Sequence, residues 1–269
     1  MRLKERDLSL GQQLLNGARN VQDAAHKCVV ANDHANGADA TLALMLRIRE
    51  ILPVTPRTQI IRLELGALRF DYQPGQAIFV GRKGERAYPY SLTLPPEEAY
   101  RTGCLEILSR GNQFCRDLVG SASFVEVTGP VGQFTLPIEL HPRQRLVFIA
   151  GGTGIAPVRS ILRRVVSLTD CDVEVLYSAR APDEFPYESE LRSMAQSGRI
   201  RLWQTVTRES GTSTWTGARG RIDKTALEPF AVDPVSLFFI CGPLPLVDST
   251  RQFLERVGVP PERIRTDRW

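Results

Sequence analysis

The chain of 269 residues is long enough for roughly two domains of ~100 to 150 residues, and its 42% hydrophobic and 24% charged content is that of a soluble globular protein. A net charge of +4 carried by scattered arginines argues against a nucleic-acid binder, no apolar run approaches the ~20 residues of a membrane span, and the N-terminus lacks the apolar core of a signal peptide. A cytoplasmic protein with no nucleic-acid partner is therefore expected. Five dispersed cysteines, Cys28, Cys104, Cys115, Cys171 and Cys241, form no CxxC pair, so neither a zinc site nor a four-cysteine iron–sulfur cluster is readable.

In chain order, the first segment runs from residue 1 to 43. Leu14, Ala18, Val21, Ala25 and Val29 recur at three-to-four spacing behind Asp7, which predicts an amphipathic helix over 8–29. The small, polar "ANDHANGADA" after it reads as a linker. Residues 44–142 change to short strands: "LALMLRI", "QIIRLEL", "AIFV", "YPYSLTL", "CLEILS" and "FVEVTG", separated by turn signals such as "QPGQ" and "GRKG". Six strands with no helical period between them predict a closed antiparallel barrel, since closure removes exposed edges. Within it, "GERAYPYSLTL" reads as one strand with Arg86, Tyr88 and Tyr90 on one face and Ser91 on the other, a flat ring beside a positive charge that suits a flat anionic ligand.

Residues 143–269 alternate strand and helix. The wholly apolar "LVFIA" and the similar "VEVLYS", "IRLWQTV" and "LFFICG" predict a doubly wound parallel sheet, giving a β + α/β protein overall. Such sheets bind ligands at the carboxyl ends of their strands. The first end reads "AGGTGIAP": Gly151, Gly152, Thr153 and Gly154 form a tight turn open to a phosphate, and Pro157 fits the first turn of the following helix. At the second end Ser178 and Arg180 stand where an NAD-type fold would carry an acid, which favours NADPH over NADH. At the third, Cys241, Gly242 and Pro243 close a strand and open a helix.

In order along the chain, "YSL", "VTGPVGQF", "AGGTGIAP", "YSARAPDEF", "ICGP" and the terminal "RIRTDRW" resemble the ferredoxin–NADP reductase family of flavin reductases, over roughly Leu44 to Trp269. The resemblance implies FAD, with FMN as the alternative, lying across the six-stranded barrel, and NAD(P)H on the parallel-sheet domain. By the same resemblance the flavin would contact Tyr88, Tyr90, Ser91, Leu92 and Thr93, with Tyr90 against the ring and Ser91 near N5. The family's Arg-x-Tyr-Ser pattern puts Tyr88 in the arginine slot, with Arg86 two residues earlier. Its second flavin segment resembles "SRGNQFCRDL", which holds Gly111, Gln113, Phe114 and Cys115; Cys115 replaces a hydroxyl, and Arg110 or Arg116 would supply the missing positive charge. Ser91 and Cys241 would flank the transfer site, and Trp269 would either cover the flavin or plug the domain crevice as a structural residue. Electrons would pass to a separate ferredoxin, flavodoxin or oxygenase component. A non-catalytic electron-transfer or regulatory subunit, and a nucleotide-sensing module without redox activity, remain as alternatives on these residues.

Overall fold

Period-two alternation in the first half of the chain gives each strand one apolar face, and the structure gathers those faces around a single core. In this computed structural model, residues 42–111, 124–140, 144–168, 171–209, 214–231 and 233–268 are described; the expected helix over 8–29 and its linker lie outside them. Six strands, β1 (Leu42–Thr55), β2 (Thr58–Glu64), β3 (Ala77–Gly81), β4 (Tyr88–Ser91), β5 (Cys104–Ser109) and β6 (Phe124–Val131), pair antiparallel in the order β4-β3-β6-β1-β2-β5. A bridge between Leu92 and Ile107, with Thr93 N–H donating to the Glu106 carbonyl at 3.0 Å, joins the two outer strands and closes the barrel. Leu44, Leu46, Ile61, Leu63, Ile78, Val80, Tyr90, Leu105, Ile107 and Val127 fill it.

Two features differ from the sequence reading. β1 continues beyond "LALMLRI" to Thr55, pairing first with β6 and then with β2, and it bends at irregularities after Ile48 and Pro53 that let it serve both neighbours. β4 begins only at Tyr88, so Arg86 stands in the preceding loop rather than on the strand face assigned to it.

The second half forms a parallel sheet of β7 (Arg145–Gly151), β8 (Asp172–Ala179), β9 (Arg201–Val206), β10 (Ala218–Arg219), β11 (Ser236–Gly242) and β12 (Ile264–Arg268). Their order, β10-β9-β8-β7-β11-β12, reverses between β7 and β11, which makes that junction the topological switch point. Four helices connect these strands: α2 (Ile155–Leu168), α3 (Glu188–Gln196), α4 (Lys224–Ala231) and α5 (Leu244–Arg256). A shorter helix, α1 (Pro96–Thr102), lies between β4 and β5 in the barrel domain. β7 and β11 are buried on both faces, as their continuous apolar runs require.

The domains share packing. Ile60 and Leu108, on the outer face of the barrel, belong to the same apolar cluster as Leu146, Phe148, Ile161 and Phe239 of the second domain. Gly75, in the "QPGQ" turn with φ +96°, lets the barrel backbone come close: a Cβ there would overlap the Phe134 carbonyl oxygen and touch the Ile161 side chain. Around this seam lies an ionic web. α1 brings Glu97 and Glu98 to Arg164 and Arg163 of α2, and Arg163 also meets Glu190 of α3 at 2.7 Å. No helix among the described residues is long and apolar enough to cross a membrane.

Candidate active site at the domain junction

The carboxyl ends of β7, β8, β9 and β11 open onto a cavity of about 400 Å3. Its floor is the turn that follows β7. Gly152 has φ +55°, and a Cβ there would meet nothing within 4 Å, so the backbone faces open space. The fully buried Tyr177 donates its hydroxyl to the Gly152 carbonyl at 2.9 Å and pins the turn from behind. Burial pushes that phenol well above its ordinary pKa, so it stays a donor. Gly154 serves a different purpose: a side chain there would overlap the Cys241 carbonyl, so glycine allows the β7 turn and the end of β11 to touch.

Among the described residues five arginines line the cavity: Arg180 after β8, Arg208 after β9, Arg221 after β10, Arg110 after β5, and Arg57 from the β1–β2 turn. One carboxylate among the described residues, Glu184, lines it with them. The field of Arg110, then partial burial, then Arg208 and Arg57 lower the Arg180 guanidinium below its ordinary pKa, with Glu184 opposing. Crowded cations of this kind suit an anionic ligand bearing several phosphates.

Of the residues singled out from sequence, Arg110, Gly152, Thr153, Ser178, Arg180 and Pro243 come together in the cavity wall. Gly154 and Pro157 are buried and outside the wall, as are Cys241 and Gly242 at the end of β11 just before Pro243. On the barrel, Tyr90 is 9% exposed and packed in the core with Leu92, while Ser91 is half-buried. The exposed Arg86 sets its guanidinium over the Tyr88 ring at 5.3 Å, so the pair stays together although Arg86 has left the strand. Thr93 is fully buried and its hydroxyl donates to Glu106 at 2.7 Å, which commits it to the domain seam rather than to a ligand. Gly111 follows Arg110 beside the β1–β2 turn, its α-carbon facing the Arg57 carbonyl. Gln113, Phe114, Cys115 and Trp269 lie outside the described residues.

Three contributions escaped the sequence reading. Asp267 pairs in register with Cys241, its carboxylate 4.0 Å from the thiol. Burial raises the pKa of Asp267, opposed by the Arg268 N–H, and burial together with Asp267 pushes the Cys241 thiol well up. The second is Glu106, 2% exposed, which accepts from Arg62 at 2.8 Å and Arg159 at 2.9 Å. Arg159 in turn donates to the Thr93 carbonyl at 3.1 Å and stacks on Tyr187 at 4.2 Å, tying the helix after the glycine turn to the segment after Ser91. The third is Arg57, which no motif marks.

A profile of the oxidoreductase NAD-binding domain matches residues 148–252. The chain is 29% identical over 186 residues to the electron transfer component of the Pseudomonas putida xylene/toluene monooxygenase, covering 67% of this chain and 52% of the relative. It is 30% identical over 169 residues to ferredoxin–NADP reductase B of Sorangium cellulosum, covering 59% of this chain and 67% of that protein. Among solved structures, the Amycolatopsis cytochrome P450 reductase GcoB superposes with a TM-score of 0.74 at 22% identity, over 88% of this chain and 72% of that one, a likeness of fold. The chain thus spans about half the length of the monooxygenase component it matches.

Proposed function

This chain belongs to the ferredoxin–NADP reductase family, and from that premise we propose that it takes a hydride from NAD(P)H, favouring NADPH, onto a barrel-bound FAD and passes electrons to a separate acceptor such as a ferredoxin or an oxygenase component. The observation that carries this reading is the arginine-lined cavity at the switch point of the parallel sheet, facing the barrel across the seam. Its donor set fits a phosphorylated dinucleotide. Gly152 and Thr153 would meet the pyrophosphate, and Ser178, Arg180 and Arg208 the adenosine phosphate end.

On the barrel, Tyr88, Tyr90 and Ser91 would hold the flavin ring, with Arg86 and Arg110 as cations for its phosphates. When bound, the flavin supplies the exchange between a two-electron donor and one-electron acceptors. The protein's part is orientation. Asp267, its pKa raised by burial, stands beside the Cys241 thiol, and the Glu106–Arg159 pair ties the segment after Ser91 to the helix that follows the coenzyme turn. Five dispersed cysteines with no cluster spacing support an acceptor outside this chain.

An absorbance spectrum of the purified protein, identification of released flavin and anaerobic titration with NADPH test the reading. Bound FAD bleached by one equivalent of NADPH is expected. A colourless protein that binds NADPH would instead favour a sensing module.

A further inference from the structure

Arg57, like Arg110, reaches the coenzyme cavity from the barrel domain, and it differs in being paired with the carboxylate of the cavity wall. It sits at the tip of the β1–β2 turn, where the Thr55 and Thr58 hydroxyls share a hydrogen bond of 2.7 Å and the Arg57 N–H donates to Thr55 Oγ1 at 3.3 Å. That tip is therefore fixed, and the side chain projects across the seam. Its Nε lies 3.3 Å from Oε1 of Glu184, in the short turn just beyond Arg180.

Among the described residues of the wall, Glu184 is the one carboxylate beside five arginines. Any phosphate arriving beside Arg180 therefore competes with Glu184 for the same cations. The Arg57 side chain is 52% exposed and that of Glu184 16%, so solvent screens the pair from the Arg57 end and it contributes little. A guanidinium presents a planar fork matched to phosphate oxygens, which favours the exchange when a phosphate is present.

Resting on the coenzyme reading above, we propose that Arg57 is a coenzyme-binding residue supplied by the flavin domain, which leaves Glu184 for a phosphate of the dinucleotide, so that the bound coenzyme bridges the two domains. Glu184 then acts as the competitor that the coenzyme displaces.

Calorimetric titration of the purified chain with 2′,5′-ADP and with ADP-ribose tests this without turnover, with flavin content measured on the same samples. Arg57→Ala is expected to weaken fragment binding by about tenfold or more. Glu184→Gln is expected to tighten it, because the competitor is gone. Loss on 2′,5′-ADP alone assigns Arg57 to the 2′-phosphate, and loss on both fragments assigns it to the phosphate they share next to the ribose 5′ carbon. If both substitutions weaken binding alike, the pair is structural and the inference falls. It falls too if Arg57→Ala leaves both affinities unchanged, or lowers flavin content instead. A wild-type chain that binds neither fragment overturns the coenzyme reading itself, and this inference with it.

Discussion

Replacing Arg159 by Met removes the central cation of the domain seam while keeping most of its apolar stem. The arginine side chain is 8% exposed and that of Glu106 2%, so the carboxylate cannot be rescued by water. Breaking one side of a buried pair costs roughly 3 to 5 kcal/mol. Arg62 at 2.8 Å and the Thr93 hydroxyl at 2.7 Å still serve Glu106, and Glu190 keeps Arg163, so the lower end, about 3 kcal/mol, applies. At ~2 to 4 °C per kcal/mol for a chain of this size, calorimetry should record a fall in Tm of roughly 6 to 12 °C. Glu106→Gln in the Arg159→Met background removes the stranded charge and should recover part of that loss. The pH dependence has a definite sign. Burial raises the Glu106 carboxyl, but Arg159, Arg62 and Thr93 outweigh it and hold the pKa below its ordinary value. Its stabilisation is therefore present above the unfolded pKa of about 4.3 and lost as pH falls through the lower folded value. The gap between wild type and Arg159→Met should widen as pH rises from about 3 to 5 and then level. A Tm change under about 2 °C at pH 7, or a gap independent of pH, would refute the assignment.

Gly154→Ala should destabilise by about 3 kcal/mol or abolish soluble expression, since its Cβ would overlap the Cys241 carbonyl, whereas Gly152→Ala should cost only about 1 to 2 kcal/mol for its positive φ; thermal unfolding separates the two. Asp267→Asn should raise Tm at neutral pH and lose that advantage in acid, because a buried carboxyl with a raised pKa destabilises the fold once ionised; a loss of stability at pH 7 would contradict this. If the Arg86–Tyr88 pair holds the flavin, Arg86→Ala should purify with much less flavin than Arg69→Ala, whose guanidinium stacks on Tyr100 instead; equal occupancy in the two would move the role to Arg110.

What the sequence determined by itself was local. All six barrel strands and the four long strands of the parallel sheet were legible because each carries its own period, two for half-buried strands and continuous apolar runs for strands covered on both faces. The glycine turn after β7 and the Ser178–Arg180 pair at the end of β8 were legible for the same reason: a strand end and the turn that follows it are written in consecutive residues. Tertiary structure decided everything that depends on residues distant in the chain. Nothing in "CLEILS" sets Glu106 apart, and only the docking of α2 makes it a buried acceptor for Arg159, 53 positions away. Thr93, read as a flavin contact from its place beside Ser91, is claimed by that same acid. Asp267 meets Cys241 only through the register of β12 against β11. Arg57 reaches Glu184 only because the barrel closes and packs Ile60 and Leu108 against the second domain. Side-chain chemistry is fixed residue by residue, but a charge acquires a partner, and a glycine its necessity, only when long-range packing excludes water and brings a second backbone within contact.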